Sequence, residues 1–211
     1  MQRTILNFLV LSVFLVAGGM PTPASAQPPR RHNTHVEGYF IGDFLGEYRL
    51  RVDGERQSSG DIELDPTLGG GVRVGFQSGV FAAGLMAEFR GYGNDEYEDR
   101  DFAFDISPFL GFRIPLVDSN GTKVRLRGTF PLGFTVLRPN EEAYGDARYY
   151  GFNAGALGGM EFVFGSFGFF TDVGVRYHRV YANEDLGVLG DVKANLSWAQ
   201  LSLNVGFHAE F

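Results

Sequence analysis

Between Val36 and Val52 the chain alternates with period two. Even positions carry Val36, Phe40, Phe44, Tyr48, Leu50 and Val52 with glycines between them, and odd positions carry Glu37, Asp43, Glu47, Arg49 and Arg51. Strict alternation over this length predicts a strand with two unlike faces. The same pattern returns over 64–76, 81–89, 102–114, 124–136, 152–162, 167–177 and 194–211. Eight strands are therefore predicted, with no helical segment among them. Short connections fall near 77–79, 115–121 and 163–166, and long ones near 53–62, 91–101, 138–149 and 181–193. In an up-and-down antiparallel sheet, all the long loops emerge at one end. Eight such segments with this asymmetry predict an all-β, eight-stranded antiparallel transmembrane barrel with short turns on one side and four longer loops on the other. Pro66, Pro108 and Pro131 lie within the runs and mark strand ends or bulges.

Alternation does not say which face meets water. A soluble barrel turns its apolar face inward, and a membrane barrel turns it outward. Most of the 21 Phe lie on the apolar face, and an eight-stranded interior is only just wide enough for side chains to fill. The other face carries acids at Glu37, Asp43, Glu47, Asp65, Glu88, Asp105, Glu161 and Asp172. Its bases are Arg49, Arg51, Arg73, Arg90, Arg113, Lys123, Arg125, Arg127 and Arg176. These nearly cancel, as a filled lumen requires, because buried charges must be paired. Gly and Ala cluster between them, where a lumen is tight. The predicted strands exceed the roughly 9–11 residues that a tilted membrane strand needs. They are expected to project past the membrane on the long-loop side. Tyr48, Tyr92, Tyr149, Tyr150 and Tyr177 would band that end, with Phe76, Phe81, Phe112, Phe164, Phe167 and Phe211 at the other.

Composition narrows the setting. Residues 1–26 read as a cleaved signal peptide: Arg3, an apolar run from Ile5 to Ala17, and Ala24-Ser25-Ala26 as the cleavage site. Residues 27–34 read as a flexible lead-in and 35–211 as the barrel. The chain has no Cys, which excludes disulfides and thiolate metal sites. With 18 Lys and Arg against 25 Asp and Glu, nucleic acid is a disfavoured partner. Most of the acidic excess falls in the long connections.

Signal peptide, eight strands, short turns, long polar loops and the terminal run LSLNVGFHAEF together resemble the small outer-membrane β-barrel proteins of Gram-negative bacteria, the OmpA/OmpX type. The likeness spans the mature chain. It implies a cell outer-membrane location, a monomer, and contact with outer-membrane lipids and lipopolysaccharide. It also implies periplasmic chaperones and the outer-membrane insertion machinery as partners in biogenesis. That machinery would read the C-terminal strand at Leu203, Val205, Phe207 and Phe211. A periplasmic peptidoglycan-binding domain, which some relatives carry, is not expected after Phe211.

Some barrels of this kind modify lipids, and such catalysis needs a nucleophile with a base in hydrogen-bond reach. A lipid A deacylase would place Ser two residues after its His. His178 is followed at that spacing by Val180, and the expectation is a lumen histidine and no enzyme. NDEYEDRD offers Asp95, Glu96, Glu98 and Asp99 to a hard cation, without the spacing of a calcium loop. GGGVRVG, residues 69–75, lacks the Lys-Ser/Thr and helix of a phosphate loop. No cofactor is expected. The predicted function is structural or surface-interacting, with a lumen plugged by ion pairs and acidic extracellular loops. The alternatives are a narrow channel or small-molecule passage protein, a lipid-modifying enzyme, and a soluble binding barrel.

Overall fold

A strand with one apolar and one charged face needs a partner for each, and closing the sheet on itself supplies the charged face with an interior. The computed structural model describes residues 33–52, 55–56, 62–64, 66–94, 97–119, 121–138, 148–185 and 191–211. The signal segment 1–26, most of the lead-in, Asp65, Asp95 and Glu96 lie outside the described residues, as do the side chains of Glu98 and Asp99. The strands are β1 (Asn33–Val52), β2 (Glu55–Arg56), β3 (Ile62–Leu64), β4 (Thr67–Ser78), β5 (Phe81–Asn94), β6 (Tyr97–Ser119), β7 (Thr122–Arg138), β8 (Tyr149–Phe164), β9 (Phe167–Asp185) and β10 (Asp191–Glu210). β1 and β4 to β10 form a closed antiparallel barrel of eight strands, with β10 returning to pair with β1 from His35↔Glu210 to Val52↔Ala194. β2 and β3 are short additions along β1.

Closure leaves no barrel strand with an unpaired edge. At one end the hairpins close tightly through Gly79, Gly121 and Gly165, each with positive φ. Such turns need a residue without a Cβ penalty. Two predicted connections are shorter than expected. β6 runs on to Ser119, and the segment 91–101 is largely hairpin, paired as far as Asn94↔Tyr97. Pro66 sits just before β4. The β6–β7 ladder skips from Ile106↔Phe134 to Phe109↔Pro131, passing over Pro108. The β7–β8 ladder skips from Thr129↔Leu157 to Leu132↔Ala154, passing over Pro131. Both breaks fall where a ring nitrogen has no hydrogen to donate.

Over most of the barrel height the charged face is inside and the apolar face outside. The outward residues of β9 run Phe167, Phe169, Val173, Val175 and Tyr177, all exposed, while Asp172, Arg176 and His178 between them are buried. At the end opposite the glycine turns this sense inverts. There Tyr92, Ala103, Leu137, Val180, Leu196 and Trp198 form an apolar cluster inside the barrel. On β7, β9 and β10 the outward positions beside them include the polar Arg138, Arg179, Asn195 and Ser197, while Phe102 and Phe104 beside Ala103 and Tyr181 beside Val180 are exposed. Tyr92 and Tyr149, expected in an outer aromatic band, belong to or pack on the inner cluster instead. Tyr150 and Tyr177 do face out.

On β1 the inversion is made by a bulge. Phe44 pairs with Leu201 and Glu47 with Ala199, so β1 spends one extra residue there. Leu45 takes φ 53. The extra residue flips the parity of everything after it. Glu47, Arg49 and Arg51, read from sequence as lumen residues, therefore stand on the outer wall. Their side chains are exposed, and Arg49 lies 3.6 Å from Glu47.

Candidate functional site

Six carboxylates and six guanidiniums are buried in the lumen among the described residues: Glu37, Asp43, Glu88, Asp105, Glu161 and Asp172 with Arg73, Arg90, Arg113, Arg125, Arg127 and Arg176. They sort into two networks. Near the glycine turns, Glu37 is the hub. It accepts from Arg73 Nη1 at 2.8 Å, from Arg127 Nη2 at 2.8 Å, and from Arg113. Glu37 and Arg73 are direct cross-strand partners on β1 and β4. Arg125 and Glu161 face each other in the same way on β7 and β8, at 2.8 Å. Glu161 also meets Arg113 at 3.3 Å and Arg127 at 3.4 Å, and Asp172 meets Arg127 at 3.0 Å. Arg125 also holds Glu210, at the end of β10.

The second network lies farther along the lumen. Glu88 and Asp105 stand directly opposite each other on β5 and β6. Two like charges so placed repel. Arg90 and Arg176 each contact both carboxylates and offset that repulsion. Asp43 accepts from Arg90 Nε at 2.9 Å, Gln200 at 2.8 Å, Thr67 at 3.3 Å, and Ser202. Between the networks sits a layer of Tyr39, Ile41, Met86, Phe109 and Phe170. The Tyr39 hydroxyl donates to Glu88 at 2.9 Å. The guanidinium of Arg127 stacks 4.1 Å from the Phe170 ring and that of Arg73 lies 5.0 Å from the Tyr39 ring, the cation–π geometry.

GGGVRVG makes room for this filling. Gly71 is opposite Tyr39 and Gly75 opposite His35 across β1 and β4. A Cβ on Gly71 would lie 2.6 Å from the Tyr39 ring, and one on Gly75 2.7 Å from the His35 ring. These two glycines therefore serve close approach inside the lumen.

The described histidines, His35, His178 and His208, are lumen groups. His178 is buried, 3.0 Å from Asp105, and stacked on Trp198 with ring centroids 4.7 Å apart. Val180, two residues on, is also buried and offers no nucleophile. His35, the first residue of the predicted barrel, is a buried residue of β1. His208 sits 3.5 Å from Glu161 and 3.3 Å from Glu210. Ligand atoms of Glu37, Glu161 and His208 lie within 4.8 Å of one another. A cation there would compete with Arg113, Arg125 and Arg127 for the same two carboxylates, so the arrangement is that of an ion-pair cluster. The parity of β1, carried two residues back from Glu37, was the signal that could have placed His35.

On the outer wall, Leu203, Val205, Phe207 and Phe211 of the terminal segment are exposed. Phe211 is tied to the start of β1, its N–H donating to the Thr34 carbonyl at 2.9 Å.

No protein-family model matches the chain, and no curated protein matches it. Solved structures do. The chain is similar to the outer membrane protein OprG of Pseudomonas aeruginosa, at 12% identity and a TM-score of 0.56, over 86% of this chain and 97% of that one. Neisserial surface protein A follows at 12% identity and a TM-score of 0.43, over 84% of this chain and 97% of that one. Ail of Yersinia pestis, crystallised with the heparin analogue sucrose octasulfate, follows at 14% identity and 0.34, over 84% and 97%. The fold comparison rests on OprG, whose barrel covers nearly the same length. The chain has the fold of the small outer-membrane β-barrel proteins of Gram-negative bacteria.

Proposed function

We propose that this protein is an integral outer-membrane barrel with a structural or surface-interaction role, whose lumen is sealed by its ion pairs. The observation that carries this reading is the combination of a belt of exposed Phe, Leu and Val with fully buried, matched charges behind it. In water such a belt would be a large exposed apolar patch of the kind soluble monomers avoid. In a bilayer it is the face that lipid requires. The outward apolar run on β9, Phe167 to Tyr177, rises about 25 Å at about 3.3 Å per residue and a tilt near 40°, matching the height of the apolar band of such barrels. The wide-open polar lumen of a porin is not what the interior resembles, since two charge networks and an aromatic layer succeed one another along it.

The test is conductance. The mature chain, refolded into planar bilayers, is expected to give no steady open events. Regular steps of uniform size from the wild-type barrel would replace the sealed-lumen reading with a narrow channel. Membrane residence is tested separately by fractionation: the protein is expected to stay with outer membranes through alkaline carbonate extraction.

A further inference from the structure

Along the inner face of β9 the side chains run Arg176, His178, Val180, all buried. Arg176 belongs to the second charge network, and Val180 to the apolar cluster at the end opposite the glycine turns. His178 is the junction between the two. Its ring lies flat on Trp198 of that cluster, 4.7 Å between centroids and 10° from parallel. Its Nε2 lies 3.0 Å from Asp105. An ionised carboxylate only accepts, so Nε2 carries a hydrogen and donates it. Nδ1 makes no hydrogen bond among the described residues, and it is the atom left to take up or release a proton.

The charge count gives that proton a consequence. Around Glu37, the carboxylates Glu37, Glu161, Asp172 and Glu210 meet Arg73, Arg113, Arg125 and Arg127, four against four. Beside His178, Asp43, Glu88 and Asp105 meet Arg90 and Arg176, three against two. The other partners of these three are neutral: Tyr39 on Glu88, Thr135 on Asp105, and Thr67, Gln200 and Ser202 on Asp43. Tyr92 on β5 and Asn153 on β8, which bond Trp198 and Thr135, are neutral as well. Half-buried Asp101 stands farther along β6, beyond Ala103, with contacts of its own. The two guanidiniums repel a third cation, and the three carboxylates attract it. With His178 protonated the second network balances. Without that proton one buried carboxylate lacks a countercharge, which is costly. A charged ring also gains a cation–π contact with the indole.

We propose that His178 is a proton-operated catch on this mouth of the barrel. Protonated, it balances the second network and clamps Trp198. Trp198 Nε1 donates to the Tyr92 hydroxyl at 3.2 Å, which extends the clamp to the apolar cluster. Loss of the proton from Nδ1 releases the clamp and loosens the cluster. The catch therefore contributes at acid pH and is lost as pH rises, in the range where histidine changes charge, about pH 5 to 8. This goes beyond the sealed-lumen reading and is tested apart from it. The network around Glu37 closes the lumen in either state of His178, so conductance is not the readout.

Trp198 is the only Trp in the chain, so its emission reports the stack directly. The folded barrel in detergent micelles is titrated from about pH 5 to about pH 9. Emission is expected to be quenched at the acid end, where imidazolium touches indole, and to rise with a one-proton midpoint. Quenching by acrylamide, which needs access to the ring, is expected to grow at least about twofold across the same midpoint as the mouth loosens. His178→Gln is expected to abolish the titration and hold acrylamide access at its high-pH level throughout. Asp105→Asn makes the count two against two and is expected to keep access low at high pH. Should either variant fail to fold, the NMR ring-proton signal of wild-type His178, identified by its proximity to the indole, is expected to titrate together with the emission. Emission that is flat over the whole range overturns the proposal, as does acrylamide access that is greater at acid pH. A titration that survives in His178→Gln, or a His178 signal that does not titrate, would overturn it equally.

Discussion

At the scale of single residues, the lumen is held by charges that cannot be removed one at a time. Arg90 is fully buried and contacts Asp43, Glu88 and Asp105. Arg90→Met would leave three buried carboxylates to Arg176 and the neutral donors. Breaking a buried ion pair from one side costs about 3–5 kcal/mol, because the remaining charge is uncompensated. A loss of that size is expected in urea unfolding of the barrel in liposomes. Glu47→Gln, on the exposed side of the bulge, is expected to change stability by less than about 0.5 kcal/mol. Equal effects at the two positions would contradict their assignment to opposite faces. Period-two parity made most lumen residues legible: Arg73, Glu88, Arg90, Asp105, Arg113, Glu161 and Asp172 could all be placed from their alternation with Phe, Leu and Val. Parity could not give the partners. That Glu37 takes three arginines from β4, β6 and β7 depends on barrel closure and stagger, which no local pattern encodes.

At the scale of elements, the bulge in β1 is the feature the sequence hid. Tyr48, Leu50 and Val52 continue the apolar alternation begun at Val36, so the period runs unbroken through a point where the chain inserts a residue. Nothing at Leu45 announces it, since Leu is an unfavourable residue for φ 53. A non-glycine residue in that region costs roughly 1–2 kcal/mol. Because the Leu45 side chain is highly exposed, Leu45→Gly is expected to stabilise the barrel by about 1 kcal/mol in the same unfolding assay. Destabilisation would mean that the Leu45 side chain has contacts that outweigh the backbone strain. The prolines were legible as interruptions. Their effect on particular ladders was not, because it depends on which neighbouring strand the missing N–H would have faced. The connection at 91–101 was misread for a related reason: acidic residues suggested a loop where the backbone continues as paired strand.

The whole molecule is two barrels in one wall. Through the belt it is polar inside and apolar outside. Beyond the belt the cluster of Leu137, Val180, Leu196 and Trp198 is inside, and Arg49, Arg51 and Arg179 are outside. The change from one sense to the other marks where lipid ends and water begins on the proposed reading. The same reading gives the terminal strand its role. Phe211 joins β10 to the start of β1 at the closing seam, and removing it is expected to lower the amount of assembled barrel in the outer membrane while export continues. Unchanged outer-membrane levels would detach Phe211 from insertion.

Which face meets lipid and whether water enters the lumen can both be read in one labelling experiment. The chain has no Cys, so single cysteines can be placed at Phe40, Val173 and Val205 on the outer wall and at Ser202 and Thr135 inside. Each variant in liposomes is treated with a water-soluble maleimide and with a bilayer-soluble one. The outer positions are expected to react with the bilayer-soluble reagent alone, and the inner positions with neither until the barrel is unfolded. Rapid aqueous labelling at Val173 or Val205 would contradict a lipid-facing belt, and aqueous labelling at Ser202 in the folded barrel would contradict the sealed lumen.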